Sequence, residues 1–252
     1  MGTRQAQRIL LCLITIAAAL PTAAQFTYST HSARSGAMGG VHLPDHDRRS
    51  ITLGYRQGYL LAGMADKYLQ IVWPTVKTGT FTANYQHHGN LDFHEQQFEA
   101  GYTLRVSEWL HAAVSARYLH LGTSDGHYPS QHWLGASVML HGDLGPTQVV
   151  LMAHTRPWDS ERQFGLHLTA TYRPSVHLLT AVEVESEERT RVRMGMEYCY
   201  EERWFVRTGI ASHPMTFTFG LGLKPANYTI DLGVEVHSSL GITPHTSITL
   251  WL

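Results

Sequence analysis

Histidine is the residue type in this sequence that could most readily bind a metal ion. The chain has 17 histidines, and two groups are close in sequence: His87, His88 and His94, and His127 with His132. Imidazole nitrogens are good ligands for zinc and copper. The spacing of these residues matches no recognised metal-binding motif, however, and histidine is also an ordinary polar residue of wet loops. The sequence therefore predicts no metal site and no cofactor.

Charged side chains recur at alternate positions, most densely in the second half of the chain. The segment from Thr190 to Tyr200 places Arg191, Arg193 and Glu197 on one face of an extended strand, opposite valine, methionine and tyrosine. The same alternation assigns further charges to the polar faces of other segments: Arg117, Arg173, Arg207, Glu183, Asp231 and Glu235. These charges could pair and stabilise a narrow polar interior, or they could line a charged passage. We favour pairing, because a filled interior requires it.

No motif for catalysis accompanies these charges. The sequence contains no nucleophile elbow, no phosphate-binding loop and no paired-carboxylate motif. Serine and histidine are frequent, but no local pattern marks a hydrolytic Ser/His/Asn or Asp/His arrangement. We therefore predict that the protein is not an enzyme.

Residues 1–24 are typical of a secretory signal peptide. Arg4 and Arg8 give a basic start, Ile9 to Leu20 form an apolar stretch, and Thr22 to Ala24 supply small residues before the predicted cleavage. The apolar stretch is too short for a transmembrane helix. We therefore leave residues 1–24 out of the predicted fold.

The remaining residues exclude several classes of protein. Removing Arg4 and Arg8 from the 19 basic residues leaves 17 against 20 acidic residues, a net charge of −3, so we predict no nucleic-acid partner. Cys199 is the only cysteine after the leader, which rules out an intrachain disulfide. No later apolar run reaches the length of a membrane-spanning helix, so a membrane-spanning segment here would have to be a strand.

Alternation of apolar and polar residues continues to the end of the chain and predicts an all-β fold. A soluble sandwich and a transmembrane barrel both produce this pattern, because the apolar face can form a core or contact lipid. Aromatic residues favour the barrel, because they lie at the ends of apolar faces, where barrels carry interfacial girdles. Those residues are Tyr118, Phe164, Tyr172, Tyr198 and Tyr228. We therefore predict a transmembrane antiparallel up-and-down β-barrel of about 14 strands over residues 50–252.

The lengths of the connectors support this barrel. The predicted strands are 50–60, 67–73, 79–87, 93–104, 109–120, 131–141, 147–155, 162–173, 177–186, 190–200, 204–211, 215–223, 227–236 and 245–252. If the first strand runs outward, the connectors at the inner end are all short. The two longest, Gly122 to Ser130 and His237 to Pro244, then lie at the outer end, as is typical of outer-membrane barrels.

A glycine-rich segment, residues 25–49, precedes the first predicted strand. Gly36, Gly39 and Gly40 permit tight backbone turns in a confined space, so we predict that this segment lies in the lumen. The stretch ARSGAMGG, from Ala33 to Gly40, resembles the A-R-x-x-x-M-G-G opening of the FadL/PorV/PorQ superfamily of outer-membrane proteins. Its motif residues are Arg34, Met38, Gly39 and Gly40.

This resemblance implies a 14-stranded barrel with a plugged lumen in the outer membrane of a Gram-negative bacterium. The PorV/PorQ-like branch implies an accessory or anchoring role in type IX-type protein secretion or surface attachment. Its partners would be secretion-system or secreted proteins, beside outer-membrane lipid. FadL-like members imply the alternative, a passive channel for small hydrophobic compounds. We favour the accessory role, because short connectors leave little chain for a hydrophobic ligand groove.

A luminal Arg34 would need a partner, because an unpaired buried charge is costly. The predicted lumen faces of the last strands, which close against the first strand, supply four carboxylates: Glu183, Glu197, Asp231 and Glu235. We expect Arg34 to pair with at least one of them. In the alternative, Arg34 is solvated at the inner mouth and contributes almost nothing to stability.

Overall fold

A computed structural model describes residues 32–43, 48–75, 79–124, 129–157, 164–186 and 190–252. The predicted signal peptide and residues 25–31 and 44–47 of the predicted luminal segment lie outside the described residues. The described part of the chain contains a short helix, a 3-10 turn and 14 strands. Neither helical element is long or apolar enough to cross a membrane.

The strands form a closed antiparallel barrel, which confirms the predicted fold class and strand number. Helix α1 spans Ala33–Ala37, and the 3-10 turn spans Gly58–Leu60. The strands are β1 Ser50–Gln57, β2 Ala65–Thr75, β3 Gly79–Gly89, β4 Phe93–Arg105, β5 Leu110–Thr123, β6 Gln131–Leu144, β7 Thr147–Thr155, β8 Phe164–Ser175, β9 Leu178–Ser186, β10 Thr190–Tyr200, β11 Trp204–Ala211, β12 Thr216–Leu223, β13 Tyr228–His237 and β14 Gly241–Trp251.

Each strand pairs with its neighbours in sequence, and β1 closes the barrel against β14. The closing register runs from the pair Ser50 and Trp251 to the pair Arg56 and His245. Closure leaves no unpaired strand edge, which a bilayer would not tolerate because it offers no hydrogen-bonding partner.

The side chains are distributed in the opposite way from those of a soluble sandwich. On β5, Val114 faces outward and is 58% exposed, whereas Arg117 faces inward and is 2% exposed. The same inversion holds on β9 and β12, where Glu183 is buried and Phe219 is exposed. An apolar outer surface around a polar interior is the arrangement of a barrel in lipid. The structure thus selects the barrel from the two folds that the alternation allowed.

Two strand boundaries differ from the prediction for identifiable reasons. β1 ends at Gln57, because the chain turns at Gly58–Leu60 and the backbone N–H of Tyr59 donates to Thr243 Oγ1 at 2.9 Å. β14 begins at Gly241 and includes Pro244. This proline lies beyond the last β1–β14 pair, where β14 pairs with β13 alone and a missing N–H is tolerated. The predicted long connector from His237 to Pro244 is therefore wrong: the turn is 238–240.

One end of the barrel has short connections between its strands. At the end that holds the start of β1 and the end of β14, the described connections include 106–109, 145–146, 176–177, 201–203 and 224–227. We call this the short-turn end.

Residues 32–43 lie inside the barrel, and α1 packs against β11–β14 and β1. The N-terminal segment thus occupies one side of the lumen.

Candidate functional site: a plugged lumen

Residues 32–43, which we call the plug, fold locally before they contact the wall. Ser32 caps α1 by accepting a hydrogen bond from Ser35 N at 3.1 Å. After the helix, Gly39 and Gly40 have φ angles of 77° and 79°, a left-handed conformation that favours glycine. The chain turns back, so that the Ser35 hydroxyl donates to Val41 O at 2.6 Å. The sequence thus specifies a compact turn.

Four glycines lie in the part of the wall that faces the plug. Gly195, Gly209, Gly220 and Gly233 lie on the inward faces of four consecutive strands, β10 to β13, and we call them the glycine floor. A Cβ at Gly209 would overlap the backbone of Met38 and Gly39, and one at Gly220 would overlap Ala37 Cβ. These glycines let two backbones approach more closely than any other residue would permit.

Backbone groups of the plug hydrogen-bond to side chains of the wall. Thr218 Oγ1 accepts from Gly39 N at 2.9 Å and donates to Ala37 O at 2.8 Å. Ala33 N donates to Ser247 Oγ at 3.1 Å, and His42 N donates to a Glu183 carboxylate oxygen at 2.5 Å. These bonds satisfy plug groups that the short helix leaves without intrahelical partners.

Apolar contacts hold the other side of the plug. Met38 and Val41 are fully buried and form a cluster with Leu179 and Ala181 on the inward face of β9. Leu43 packs against the same cluster. Desolvation lowers the pKa of the intervening His42, and the nearby Glu183 carboxylate opposes this shift. A neutral His42 is therefore favoured at pH 7.

Arg34 is paired with a lumen carboxylate, as the sequence predicted. Its guanidinium donates to both carboxylate oxygens of Glu197, at 2.9 and 2.8 Å. Glu197 also accepts from Arg207 Nε at 2.7 Å, and Arg207 Nη1 donates to Asp231 at 2.7 Å. Glu197, Arg207 and Asp231 are buried, so this chain of alternating charges is largely shielded from solvent. It ties the plug to three wall strands, β10, β11 and β13.

Two further charge groups occupy the lumen. Arg193 pairs with Glu183 at 2.5 Å and also with Glu185, and Glu183 accepts from Thr169 at 3.1 Å. Closer to the other end of the barrel, Arg56 bridges Asp66 at 3.3 Å and Glu235 at 3.0 Å. Of the two alternatives from the sequence, pairing therefore describes these charges better than an unpaired charged passage.

The remaining predicted lumen charges have different surroundings. Arg117 is buried and donates to Thr155 O at 3.1 Å. Arg191 lies directly across from Glu185 in the register of β9 and β10. Arg173 follows the inward run of β8 but is exposed, and it lies where the pairing of β8 with β9 is irregular, between Tyr172 and Ser175. It lies at the short-turn end of the lumen.

The lumen contains a cavity of about 220 Å³ at the short-turn end, beside the plug. Its charged lining consists of Arg34, Arg173, Arg207, Lys224, Glu197 and Asp231. Four basic residues against two acidic ones give this cavity an excess of positive charge. Leu43, Phe205 and Trp251 add apolar surface. We call it the vestibule.

Histidines that are close in sequence lie on opposite faces of the barrel wall. His87 and His94 face outward and stack with their ring centroids 5.9 Å apart, whereas His88 faces inward and pairs with Asp66 at 2.5 Å. His132 also faces outward, beside His120, and His127 lies outside the described residues. The alternation rule would have separated His87 from His88, since adjacent residues of a strand point to opposite faces.

The glycine floor is the functional feature that the sequence analysis missed. Gly195 and Gly233 were on polar faces in the predicted strands, but four luminal glycines in neighbouring strands become one surface only when the strand register is known. The available signal was the recurrence of glycine on the polar faces of the last strands.

Comparisons with known proteins show which solved structures share this fold. No family model matches the chain, and no curated protein matches it. The chain is similar in structure to the CymD monoaromatic hydrocarbon channel, with 11% identity, a TM-score of 0.65 and coverage of 88% of this chain and 97% of that one. It is equally similar to a TodX deltaS2S3 mutant monoaromatic hydrocarbon channel, with 11% identity, a TM-score of 0.65 and coverage of 89% and 98%. The outer membrane protein Omp33 of Acinetobacter baumannii gives 8% identity, a TM-score of 0.57 and coverage of 81% and 98%.

At such low identity, these similarities show the fold. The closed 14-stranded wall and its apolar outer surface are those of a β-barrel of the Gram-negative outer membrane. Among these structures, the two with the higher TM-scores are channels by their printed names. None of the three similarities supports the PorV/PorQ-like branch of the resemblance.

Proposed function

We propose that the protein is a passive outer-membrane channel for small hydrophobic compounds, without catalytic activity, and that the plug controls its lumen. One observation carries the proposal. The plug contributes no strand to the wall, and β1 pairs directly with β14. Displacing the plug would therefore break side-chain contacts and leave the hydrogen bonding of the barrel intact.

The polar contacts of the plug suit a segment that can leave. Arg34 of the plug pairs with Glu197 of the wall and is partly exposed to the vestibule. Glu197 keeps Arg207 and Glu183 keeps Arg193 when the plug is removed, so neither of these two plug-binding carboxylates is left without a counter-charge. Loss of the plug then carries a modest electrostatic cost.

Apolar surface inside the lumen supports the solute class. Met139, Val150 and Met152 form a buried cluster on the inward faces of β6 and β7, with Ala113 of β5 packed against it. The plug contributes Met38, Val41 and Leu43. Most of these side chains are buried while the plug is in place, and displacing the plug would expose Leu179 and Ala181 of the wall to the lumen. The printed names of two similar structures are those of hydrocarbon channels.

Single-channel recording in planar bilayers tests the plug. Deleting residues 32–44 should leave a barrel that still shows heat-modifiable gel mobility and should raise the ionic conductance several-fold. The deletion removes Arg34, but Arg173, Arg207 and Lys224 still outnumber Glu197 and Asp231 in the vestibule, which predicts a weak preference of this current for anions. Ser239→Ala, in the exposed 238–240 turn, is the control and should conduct like the wild type. Unchanged conductance in a folded deletion variant would contradict the proposal.

Uptake by cells tests the solute class. A Gram-negative strain that expresses the protein should take up a labelled monoaromatic compound faster than the same strain without it. Uptake of a labelled disaccharide should change less. Equal effects on both solutes would indicate a non-selective pore.

The accessory role in type IX-type secretion is the other candidate, and the ARSGAMGG resemblance and the short connections favour it. It predicts secretion-system or secreted proteins that co-purify with the barrel from outer membranes. It also predicts that deletion of the plug changes this co-purification more than it changes conductance. The similarity to channels makes it the second choice.

A further inference from the structure

Three side chains with metal-binding atoms meet on the inward faces of β5 and β6, near the short-turn end. His111 lies directly across from His141 in the strand register, and Asp143 follows His141 by two residues on the same face. They are not among the histidine groups that the sequence brought to attention, because 30 residues separate His111 from His141. The register alone brings them together.

The distances within this group suit a single ion. His111 Nδ1 lies 3.5 Å from Asp143 Oδ2, and His141 Nε2 lies 3.4 Å from Asp143 Oδ1. One donor atom from each of the three residues lies within 4.8 Å of the others. A tetrahedral Zn²⁺ with bonds of about 2.0–2.2 Å holds its ligand atoms about 3.3–3.5 Å apart. Each histidine nitrogen therefore lies one such ligand–ligand distance from an Asp143 oxygen, His111 from Oδ2 and His141 from Oδ1.

The surroundings also suit a metal site. Gln148 Nε2 donates to Asp143 Oδ1 at 2.8 Å, which orients the carboxylate as outer-shell partners of metal ligands do. His141 is buried, whereas His111 and Asp143 are partly exposed, so one side of the group is accessible from the lumen. A fourth ligand, from water or a solute, could bind there.

A second group shows what distinguishes this one. His167, Glu183 and Glu185 also lie within ligand distance of one another. Arg193, however, pairs with both carboxylates, so a guanidinium already supplies the positive charge. Among the described residues, the ion-pair contacts of Asp143 are with His111 and His141.

We propose that His111, His141 and Asp143 form a binding site for a divalent transition-metal ion, with Zn²⁺ as the best fit. Two imidazoles and one carboxylate form a donor set that zinc accepts, and the fourth position faces the lumen. The proposal does not rest on the channel function, because none of its three ligands belongs to the plug or lines the vestibule.

Calorimetric titration of the refolded full-length mature barrel with ZnCl₂ tests the proposal. The protein should carry no polyhistidine tag. The wild type should bind one Zn²⁺ per chain at this site, and His141→Gln and Asp143→Asn should each weaken binding at least tenfold. Gln148→Ala should weaken it about 10–100-fold through the orientation of Asp143. Zn²⁺ should also raise the temperature of the heat-modifiable gel shift in the wild type and not in His141→Gln.

His120→Gln is the matched control, because His120 belongs to the outward-facing histidines and should leave the titration unchanged. Co²⁺ should give the visible absorption bands of a four-coordinate ion in the wild type, and Asp143→Asn should abolish them. The proposal is overturned if the wild type binds no Zn²⁺, or if binding survives in all three variants of the site. It is also overturned if His120→Gln abolishes binding. If a ligand variant does not fold, Gln148→Ala decides, and unchanged affinity there counts against the site.

Discussion

Two walls of the barrel fill the lumen in different ways. The inward faces of β10 to β13 carry the glycine floor, and the plug occupies the space that missing side chains leave. The inward faces of β4 to β7 carry large side chains, among them Glu99, Arg117 and Met139, which are buried. The first wall accepts a second piece of backbone, whereas the second is filled by its own residues.

The difference shows which contacts serve the plug and which serve the wall. Hydrogen bonds among Glu99, Ser115 and Ser137 join neighbouring strands of the β4–β7 side, so they stabilise the wall itself. On the β10–β13 side, Thr218 and Glu197 contact plug and wall together. Substitutions on the two sides should therefore differ in whether they affect conductance as well as stability.

The largest effect is expected at Arg207, whose side chain is 1% exposed. Arg207→Ala leaves Glu197 with Arg34 alone and Asp231 without this partner, so it should lower the free energy of unfolding by about 3–5 kcal/mol. Urea titration in micelles, followed by tryptophan fluorescence, measures the loss. Arg105→Ala is the control on the opposite wall, because Arg105 is exposed, and it should cost nearly nothing.

A variant in which Glu197, Arg207 and Asp231 are all replaced by uncharged residues tests whether charge or packing causes this loss of stability. Combining Arg207→Met with Glu197→Gln and Asp231→Asn removes the uncompensated charges, so the triple variant should regain part of the stability that Arg207→Ala loses. A triple variant as unstable as Arg207→Ala would show that packing, and not charge, makes Arg207 important.

The next effect tests the two faces of β5. Val114→Arg places a charge on the lipid-facing surface and should cost about 2–4 kcal/mol near the middle of the bilayer. Ser115→Arg faces the lumen beside Glu99 and should cost less, although it displaces the Ser115–Ser137 hydrogen bond of 2.6 Å. Folding into lipid vesicles with urea measures both. Equal costs would contradict the assigned faces.

A smaller effect should separate the glycine floor from other glycines. A Cβ at Gly209 would overlap plug backbone, and rotating a side chain cannot relieve this clash, so Gly209→Ala should cost about 1–3 kcal/mol. It should also raise conductance by displacing the plug. Gly142→Ala is the matched control, because its nearest atoms would be 3.9 Å away. If Gly209→Ala keeps wild-type stability and conductance, the floor does not position the plug.

Much of the wall was predictable from the sequence, because strand alternation is a local property. β7, β10 and β11 have the predicted bounds, and the aromatic residues Tyr118 and Tyr198 are exposed on the outer surface. The errors occur where a local rule is overridden by pairing. Proline favours turns, but Pro244 is part of β14. At this position β14 pairs with β13 alone, so the N–H that proline lacks is not required by a second strand.

The site was less predictable, because it depends on contacts between distant residues. The pairing of Arg34 with a lumen carboxylate followed from the cost of a buried charge, but the sequence did not distinguish Glu197 from the other three carboxylates. The glycine floor and the group of His111, His141 and Asp143 require the strand register. No periodicity within one segment contains that information.

The smallest expected effect concerns the ion pair between Arg34 of the plug and Glu197 of the wall. Arg34 is 31% exposed and Glu197 is 4% exposed, so solvent screens the pair on one side only. Its two parallel hydrogen bonds should give a coupling energy of about 1 kcal/mol in a double-mutant cycle of Arg34→Ala and Glu197→Gln. The loss stays small because Arg207 keeps the carboxylate paired. Glu235 is the comparison, because it pairs with Arg56, and its cycle with Arg34 should be additive within about 0.5 kcal/mol. Equal coupling in both cycles would mean that the Arg34–Glu197 contact adds nothing specific, and that Arg34 behaves as a solvated charge at the mouth of the lumen.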